Sequence, residues 1–457
     1  MKEATKLLLI TLLLIICVNS EVQGTIINAG SCSNSDVQTA VNSANNGDTV
    51  TVPAGNCTWS GNVTIPNTKG ITLQGAGIDV TTINGGQIFI TAASGNLWRV
   101  TGFTFSNGSE FLWINGTGTS LRVDHNKFTA SGTPAIFIDG PQLYGVIDHN
   151  TFTDPTFDFS CIFVFEGMGE DGGDGGAASW ARATSLGSEN AVYVEDNQFN
   201  FGAPSQGYSI VDGRAGGRVV LRYNTVINGT VGWHDAEISG SRGIRQIEVY
   251  NNSFQMTSAI QDVVYHRGGT GVWFNNTFQG VDFTWVENPI ILFNSRTTTS
   301  ENGFGPWQSY CNNALKKFCL GGAAISCTQD SDCLGAIFEG FSTVYPPCIQ
   351  IDGMTDSYGY PCRDQIGTGV TNTTTGAQAL EPMWFWNNTW CYGANGVCTP
   401  TTPVTLYVNT DGSQNIIIKG RDYYESTNTA LPGYVPYTYP HPLTGILSPP
   451  QNLRILQ

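Results

Sequence analysis

Short apolar segments, rich in β-branched and aromatic residues, alternate with Gly and Asn along most of the chain, and helical periodicity is nearly absent. A motif recurs in which an apolar residue stands two positions after an Asn: Asn126/Phe128, Asn150/Phe152, Asn197/Phe199, Asn224/Val226, Asn252/Phe254, Asn276/Phe278 and Asn388/Trp390. The apolar position steps from 128 to 152, from 199 to 226, from 226 to 254 and from 254 to 278. Such a period indicates units that bury their apolar face only by stacking on neighbours.

These units predict a parallel β-helix, an all-β solenoid in which like residues of successive coils stack about 4.8 Å apart. The Phe members are expected to stack in the core. The Asn members are expected at turns, where Asn tolerates the left-handed conformation and hydrogen-bonds its own backbone. Both columns are therefore interpreted as structural. The longer step from 152 to 199 fits two coils, or one coil that carries the Gly-rich segment 167–176.

The start of the repeat has a distinctive order. A short amphipathic helix is predicted at 35–44, and it is followed by GDTVTVPAG at 47–55 and ITLQGAG at 71–77. This order resembles the pectin-lyase-like right-handed β-helix superfamily. The resemblance implies a single right-handed parallel β-helix over residues 25–457 with an N-terminal helical cap.

Two segments depart from the period. Six Cys crowd into the segment at about 300–380, which is interpreted as a disulfide-rich insertion, and a Pro- and Tyr-rich tail at about 430–457 is expected to pack back along the solenoid. In an exported protein, disulfides are the default for these six Cys and for Cys32, Cys57, Cys391 and Cys398. Zinc is the alternative for the cluster, although paired CxxC spacings are lacking. Cys161 lies in an apolar string and is expected to be a buried free thiol.

The N-terminus indicates export. An apolar run of about a dozen residues, from Leu7 to Val18, is too short to span a bilayer comfortably and predicts a signal peptide over 1–24. The mature protein is expected to be secreted or at the cell surface, monomeric and without a membrane span. Sequons such as Asn62 and Asn115 would carry glycans in a host with that machinery, but an Asn- and Thr-rich β protein also forms such triplets by chance.

Charge is low and unevenly distributed. Charged residues make up 12% of the chain and the formal net charge is −16, which argues against nucleic-acid binding. Six of the twenty Lys and Arg nevertheless lie between positions 214 and 267: Arg214, Arg218, Arg222, Arg242, Arg245 and Arg267. Arg214 and Arg242 each stand ten residues before a motif Asn, and Arg267 stands nine before one. Equal offsets predict a single Arg column, with His266 beside it.

Stacked guanidinium groups repel one another, so such a column needs compensation. Local carboxylates such as Asp212, Asp235 and Glu237 are one source, in which case the Arg residues only tie the coils together. An anionic ligand is the other source, because the Arg fork suits carboxylate and sulfate groups.

The resemblance to the pectin-lyase-like superfamily suggests which anionic ligand the Arg column would bind. Polysaccharide lyases on this fold bind uronate carboxylates with basic groups or calcium, which acidifies C5–H for removal by a general base. The catalytic candidates are His266 or His234 as the base, Tyr265 as the acid, and Arg242. The substrate-binding candidates are Arg214, Arg267, Arg245, Asp235, Glu237 and Trp233. Asp212 is a candidate metal ligand, and the acidic Gly-rich segment 166–174 could hold Ca²⁺.

We therefore expect a secreted polysaccharide lyase that acts by β-elimination on an extracellular acidic polysaccharide. The alternatives are a non-catalytic adhesin or matrix protein that binds polysaccharide, and a glycoside hydrolase, which would need paired carboxylates flanking the bond. Asp124-His125 and Asp148-His149 are similar to a pectate-lyase pattern, but the catalytic Arg motif of that family is missing, and both pairs belong to the repeat.

Overall fold

The computed structural model describes most of the chain from residue 24 to residue 445. The described residues are 24–108, 110–129, 134–153, 160–167, 175–203, 209–235, 242–258, 260, 262–280, 289–293, 364–373, 378–392, 401–409 and 417–445, with the backbone of three short strands between 317 and 349. The predicted signal peptide, apart from residue 24, and most of the predicted disulfide-rich insertion lie outside the described residues.

The described chain is a parallel β-helix with three long sheets, as the repeat predicts. Sheet 1 contains Ile26–Asn28, Thr49–Val52, Thr72–Gly75, Trp98–Thr101, Gly118–Asp124, Leu143–Asp148, Val192–Glu195, Arg218–Arg222, Gln246–Tyr250, Thr270–Phe274, Met383–Trp386 and Tyr423–Ser426. Sheet 2 contains Gly55–Thr58, Thr81–Asn84, Thr104–Ser106, Lys127–Thr129, Thr151–Thr153, Gln198–Asn200, Thr225–Ile227, Ser253–Gln255, Thr277–Gly280, Thr389–Tyr392 and Thr402–Pro403, the last of which is antiparallel. Sheet 3 contains Val63–Ile65, Ile88–Ala92, Leu112–Gly116, Ile136–Asp139, Ser160–Phe165, Ser209–Arg214, Thr230–Trp233, Val264–His266, Ile290–Leu292 and Tyr407–Val408.

The remaining elements are short. A helix at Asn34–Ser43 covers the N-terminal end and buries Val37, Ala40 and Val41. Its N-cap is Ser33, whose side chain accepts a hydrogen bond from the Asp36 backbone N–H. Further elements are helix Ala177–Trp180, the 3₁₀ turn Pro442–Gly445, the antiparallel pair Thr368–Thr371 and Gln378–Leu380, and the antiparallel strands Lys317–Cys319, Ser326–Cys327 and Cys348–Ile349.

Two internal ladders hold the coils in register, and both were expected. Phe128 stacks on Phe152 at 4.9 Å between ring centroids, and Phe152 stacks on Phe199 at 4.7 Å. Each ladder Asn is buried, and from Asn150 onward its side-chain oxygen accepts from the backbone N–H of the Asn one coil earlier, as in Asn126 N to Asn150 Oδ1 at 3.0 Å. The first member, Asn126, accepts from the Phe103 backbone N–H at 3.1 Å. These contacts leave the amides satisfied inside the solenoid.

The turn at this ladder corrects one expectation. The left-handed residue is the one before each ladder Asn, at positions 125, 149, 196, 223, 251, 275 and 387. The ladder Asn instead uses its amide between coils and to its own chain, since Asn126 Nδ2 donates to the carbonyl of Asp124 at 2.9 Å. The neighbour absorbs the sharp turn, and the Asn holds the two coils together.

The C-terminal tail packs along the outer face of sheet 1, as expected. Arg222 donates to the carbonyls of Tyr437 and Thr438 at 2.8 and 2.9 Å, and the His441 backbone N–H donates to Glu195 at 2.8 Å. Apolar tail side chains pack against the same face: Leu431, Tyr434, Tyr437 and Leu443. The tail therefore covers the part of sheet 1 that it crosses.

Four cysteines follow the prediction: Cys32, Cys57, Cys161 and Cys391. Cys32 and Cys57 form a disulfide, and Cys391 is also disulfide-bonded. Cys161 is a buried free thiol, and burial raises its pKa. In the described part of the chain, no helix is long and apolar enough to cross a membrane.

Candidate functional site

The outer face of sheet 3 brings together polar residues from three successive coils. Strand Ser209–Arg214 pairs with Thr230–Trp233, which pairs with Val264–His266. The register opposes Gly213 to Trp233 and Trp233 to His266, so Arg214, His234 and Arg267 follow at equivalent positions. Asp212 and Tyr265 both lie opposite Gly232, on the same outer face. These five side chains surrounding Gly232 are called the polar cluster below.

Asp212 and His234 form the centre of the polar cluster. His234 Nδ1 lies 2.7 Å from Asp212 Oδ1, and the two side chains are 12% and 3% exposed. Burial by itself raises the pKa of Asp212, but the neighbouring His234, Arg214 and Arg267 outweigh it and hold the pKa below its usual value. Because an ionised Asp212 can only accept, His234 presents Nδ1–H to it. In the neutral imidazole, Nε2 is then the nitrogen with a lone pair.

Two Arg side chains flank this pair. Arg214 Nε lies 3.4 Å from Asp212 Oδ2, and its guanidinium lies 5.9 Å from the centre of the Phe163 ring. Arg267 Nε donates to the Trp233 carbonyl at 3.1 Å. Both side chains are partly exposed, so positive charge reaches the surface on either side of His234 along the solenoid axis.

Gly232 leaves a gap in the outer face. Among the described residues, a Cβ at this position would have Ser209 Oγ as its one neighbour within 4 Å, at an ordinary contact distance of 3.8 Å. Asp212 and Tyr265 thus lie on either side of a position without a side chain, about 10 Å apart at the usual strand spacing. Asp262 is fully buried, and burial raises the pKa of Asp262 to about 6 against an opposing effect of Tyr265.

The backbone at Gly243 bridges to Arg214, but the side chains of Arg242 and Arg245 are directed away from the polar cluster, which corrects the predicted Arg column. Arg242 makes two contacts with Asp364, at 2.8 and 2.6 Å, and Arg245 Nη2 donates to Glu381 at 2.8 Å. Both guanidinium groups lie over the Trp180 ring. The equal-offset argument failed because the link between sheets 3 and 1 is 234–245 in this coil but only 215–217 one coil earlier. Ten residues before Asn252, Arg242 therefore lies in the link and not in a strand of sheet 3.

His266 and Trp233 point into the core. Both are 0% exposed, since strand alternation turns them to the side opposite Tyr265 and Gly232. Burial lowers the pKa of His266 to about 3, its Nε2 lies against Met383 Sδ, and its ring packs on Trp273 and Phe385. Neither side chain reaches the outer surface, where the base and a sugar-stacking face were expected.

The remaining predicted residues add little to the site. Asp235 is buried below the surface, and Glu237 lies outside the described residues. Among the described residues, no three His, Cys, Asp or Glu side chains are grouped as metal ligands. Asp212, the candidate metal ligand, is held by His234 and Arg214, and residues 168–174 of the candidate calcium loop lie outside the described part. Calcium stays a prediction.

Sequence reasoning missed a row of outward-facing aromatic rings that leads to the polar cluster. Phe89, Trp113, Phe137 and Phe163 occupy one column of sheet 3, and Phe163 is opposite Asp212 in the next coil. Successive ring centroids are 6.0, 4.6 and 6.2 Å apart. We call these four residues the aromatic stripe. Alternation within Ile88–Ala92, Leu112–Gly116 and Ile136–Asp139 is a signal that could have separated them from the core.

Comparison with known proteins adds little beyond the solenoid. No protein-family model matches the sequence, and no curated protein matches it. The chain is similar to ORF18 of Geobacillus virus E2 at 12% identity and a TM-score of 0.32, over 59% of this chain and 56% of the viral one. It is also similar to an alginate lyase from Paenibacillus sp. str. FPU-7 at 15% identity and a TM-score of 0.26, over 56% of this chain and 93% of that one. The chain thus spans little more than half of the viral protein, and similarities this distant carry no argument about activity.

Proposed function

We propose that the protein is a secreted polysaccharide lyase that cleaves an acidic, uronate-containing polysaccharide by β-elimination at the polar cluster. One observation carries this proposal: His234, oriented by the buried Asp212, lies between Arg214 and Arg267 at an outer surface that Gly232 leaves open. A base between two cations is the arrangement that removal of a proton next to a carboxylate needs.

The reaction assigns a role to each side chain. Arg214 and Arg267 bind the uronate carboxylate, and their charge stabilises the enolate-like anion that forms when the C5 proton leaves. His234 Nε2 takes that proton, and Asp212 stabilises the resulting imidazolium. The electron pair of the C5–H bond forms the C4–C5 double bond as the C4–O bond breaks.

Tyr265 is proposed as the proton donor. The departing glycosidic oxygen receives the Tyr265 hydroxyl proton, and the proton held by His234 restores the tyrosine through solvent. The products are a chain with a new reducing end and a chain with an unsaturated uronate at its non-reducing end. No water is consumed, which distinguishes this reaction from hydrolysis.

The Cys32–Cys57 disulfide supports the proposed extracellular location, because such bonds persist in oxidising compartments. Calcium in the loop beginning at Glu166 would supply further positive charge for uronate carboxylates. The proposed roles of His234, Arg214 and Arg267 stand without it.

A screen of uronic acid polymers tests the proposal. The full chain is incubated with polygalacturonate, alginate and glucuronate-containing polymers, with and without Ca²⁺, while ultraviolet absorbance of the unsaturated product is followed. We expect absorbance to rise with at least one polymer. Reducing sugar without absorbance would indicate a hydrolase, and binding without either product would indicate a non-catalytic polysaccharide-binding protein; both results contradict the lyase.

A further inference from the structure

The aromatic stripe differs from the aromatic ladder in the core. The core rings stack nearly parallel, with 13° between Phe128 and Phe152 and 9° between Phe152 and Phe199. Rings of the stripe are tilted by 32°, 54° and 67°, and all but Phe137 are partly exposed. The core ladder fills space, whereas the stripe leaves ring surface in contact with water.

Such a surface is costly unless a partner covers it. Contiguous exposed apolar surface on a soluble protein marks an interaction site more often than chance. The tail covers the comparable aromatic rings on the outer face of sheet 1. On sheet 3, Phe165 and Ala215 pack against Phe137, while Phe89, Trp113 and Phe163 stay partly exposed.

Three of the four rings have a polar neighbour two positions on, whereas Phe163 is followed by the apolar Phe165. Phe89 is followed by Thr91, Trp113 by Asn115 and Phe137 by Asp139, and the strand register places these three polar residues in a second column. All three are at least partly exposed. Over three successive coils, the outer face of sheet 3 therefore repeats an aromatic ring beside a hydrogen-bonding group.

This repeat matches the chemistry of a pyranose ring. A sugar presents an apolar C–H face, which packs on an aromatic ring, and an edge of hydroxyl groups, which hydrogen-bonds to polar side chains. We infer that the aromatic stripe is a row of sugar-binding subsites that continues the polysaccharide path from the polar cluster toward the N-terminal end. This inference rests on the proposed function, because it takes the occupant to be the same linear polysaccharide.

The stripe recognises sugar without using its charge. Its two columns, from Phe89 to Asp139, contain no Lys or Arg, and Asp139 is acidic. The stripe thus contributes binding energy that salt screens little, unlike Arg214 and Arg267. Trp113 and His234 are four coils apart, about 19 Å at about 4.8 Å per coil, so only oligosaccharides long enough to cover that distance reach both.

Titration with a size-graded series of oligogalacturonates and oligomannuronates tests the inference. Calorimetry on the full-length His234→Ala protein, which prevents turnover, is compared with the same protein carrying Trp113→Ala, at low and high salt. We expect the added Trp113→Ala change to weaken binding of long oligomers about fivefold to tenfold at both salt concentrations, with no effect on short oligomers. Tyr424→Ala is the matched control, since Tyr424 is an exposed ring stacked on Trp384 at the outer face of sheet 1.

Several outcomes would overturn the inference. Equal affinities with and without Trp113→Ala at every length would show that the stripe binds no sugar, while the proposed lyase would stand. If Trp113→Ala does not fold, Trp113→Leu keeps apolar volume without a flat ring and is judged by the same criterion. If no uronate oligomer binds, the proposed function fails, and neutral cello-oligosaccharides are titrated instead. Weaker binding of these oligosaccharides in Trp113→Ala would support the sugar-binding subsites without the lyase. Unchanged binding would refute the subsites as well.

Discussion

The outer faces of sheets 1 and 3 use the same residue types in opposite ways. On sheet 1, Arg222 is 0% exposed, contacts Glu195 and donates to two tail carbonyls, so its guanidinium group is bonded within the protein and does not reach the surface. On sheet 3, Arg214 is 21% exposed and lies beside the Asp212–His234 pair. The tail crosses the first face, and the second carries the polar cluster and the aromatic stripe.

The difference shows that a cluster of Arg is not by itself a site. Of the six Arg between positions 214 and 267, four are almost fully buried: Arg218, Arg222, Arg242 and Arg245. Only Arg214 and Arg267 reach the outer face of sheet 3. A functional interpretation therefore belongs to the two partly exposed cations with a histidine between them.

The largest expected effect separates two histidines with the same local partner. His234 and His149 each contact an Asp through Nδ1, at 2.7 and 2.9 Å. His234→Ala is expected to lower the rate of unsaturated product formation about 10²–10⁴-fold, because it removes the general base. His149→Ala, on the turn between sheets 1 and 2, is expected to leave the rate unchanged. Equal losses in both variants would refute the assignment of the base.

The second prediction compares two arginines by stability. Arg222→Met leaves Glu195 buried without its cation, so we expect the free energy of unfolding to fall by about 3–5 kcal/mol. Arg214→Met is expected to cost about 1 kcal/mol or less, because Arg214 is partly exposed and His234 still contacts Asp212. Urea unfolding measures both. A similar decrease in the free energy of unfolding in the two variants would mean that Arg214 is as important to stability as the buried Arg222, which would contradict an open site on sheet 3.

The third prediction uses acid. Burial alone would raise the pKa of Asp124, but Arg99, His125 and Arg122 together lower this pKa to about 2. Because this pKa lies below its usual 3.8, ionised Asp124 stabilises the fold above pH ~4, and that contribution is lost as the pH falls toward 2. Asp124→Asn is expected to remove about 2 kcal/mol at neutral pH and to make the acid loss shallower.

The same measurement sharpens the comparison at Asp212, whose pKa is also lowered. Asp212→Asn is expected to make the acid loss shallower as well, and in addition to lower lyase activity. Asp124→Asn is expected to keep full activity. Loss of activity in Asp124→Asn would contradict the assignment of the site to sheet 3.

The smallest expected effect concerns the tail. The Tyr434 hydroxyl donates to Glu248 at 2.6 Å, and burial raises the pKa of Glu248 despite this bond. Tyr434→Phe is expected to lower the free energy of unfolding by about 1.5 kcal/mol, the contribution of one hydrogen bond to a charged group. Tyr424→Phe, at an exposed ring, is the control and should change nothing. An unchanged stability in Tyr434→Phe would mean that the tail is held by its apolar contacts.

Much of the fold was predictable because it repeats. The Asn and Phe columns recur at a spacing that only stacked coils explain, and the structure has both. We expected the left-handed conformation at the ladder Asn, but the residue before it adopts that conformation. The Asn side-chain amide is needed instead for the hydrogen bonds between coils. The site was predictable in part: Arg214, His234, Arg267, Tyr265 and Asp212 come together on sheet 3. His266 and Trp233, close to them in sequence, are in the core.

The sequence by itself determined the stacking of coils, the apolar and Asn columns and the buried Cys161, because each follows from local composition and a period. Only the tertiary structure decided which face each residue occupies. In a strand, a shift of one position exchanges inside for outside. The link between sheets 3 and 1 varies in length from coil to coil, from 215–217 to 234–245. The longer link returns to His234, whose carbonyl accepts from the Ile244 N–H, but the Arg242 side chain is directed to Asp364. The register of the sheet 3 strands places His234 between Arg214 and Arg267, at the surface where we propose the chemistry occurs.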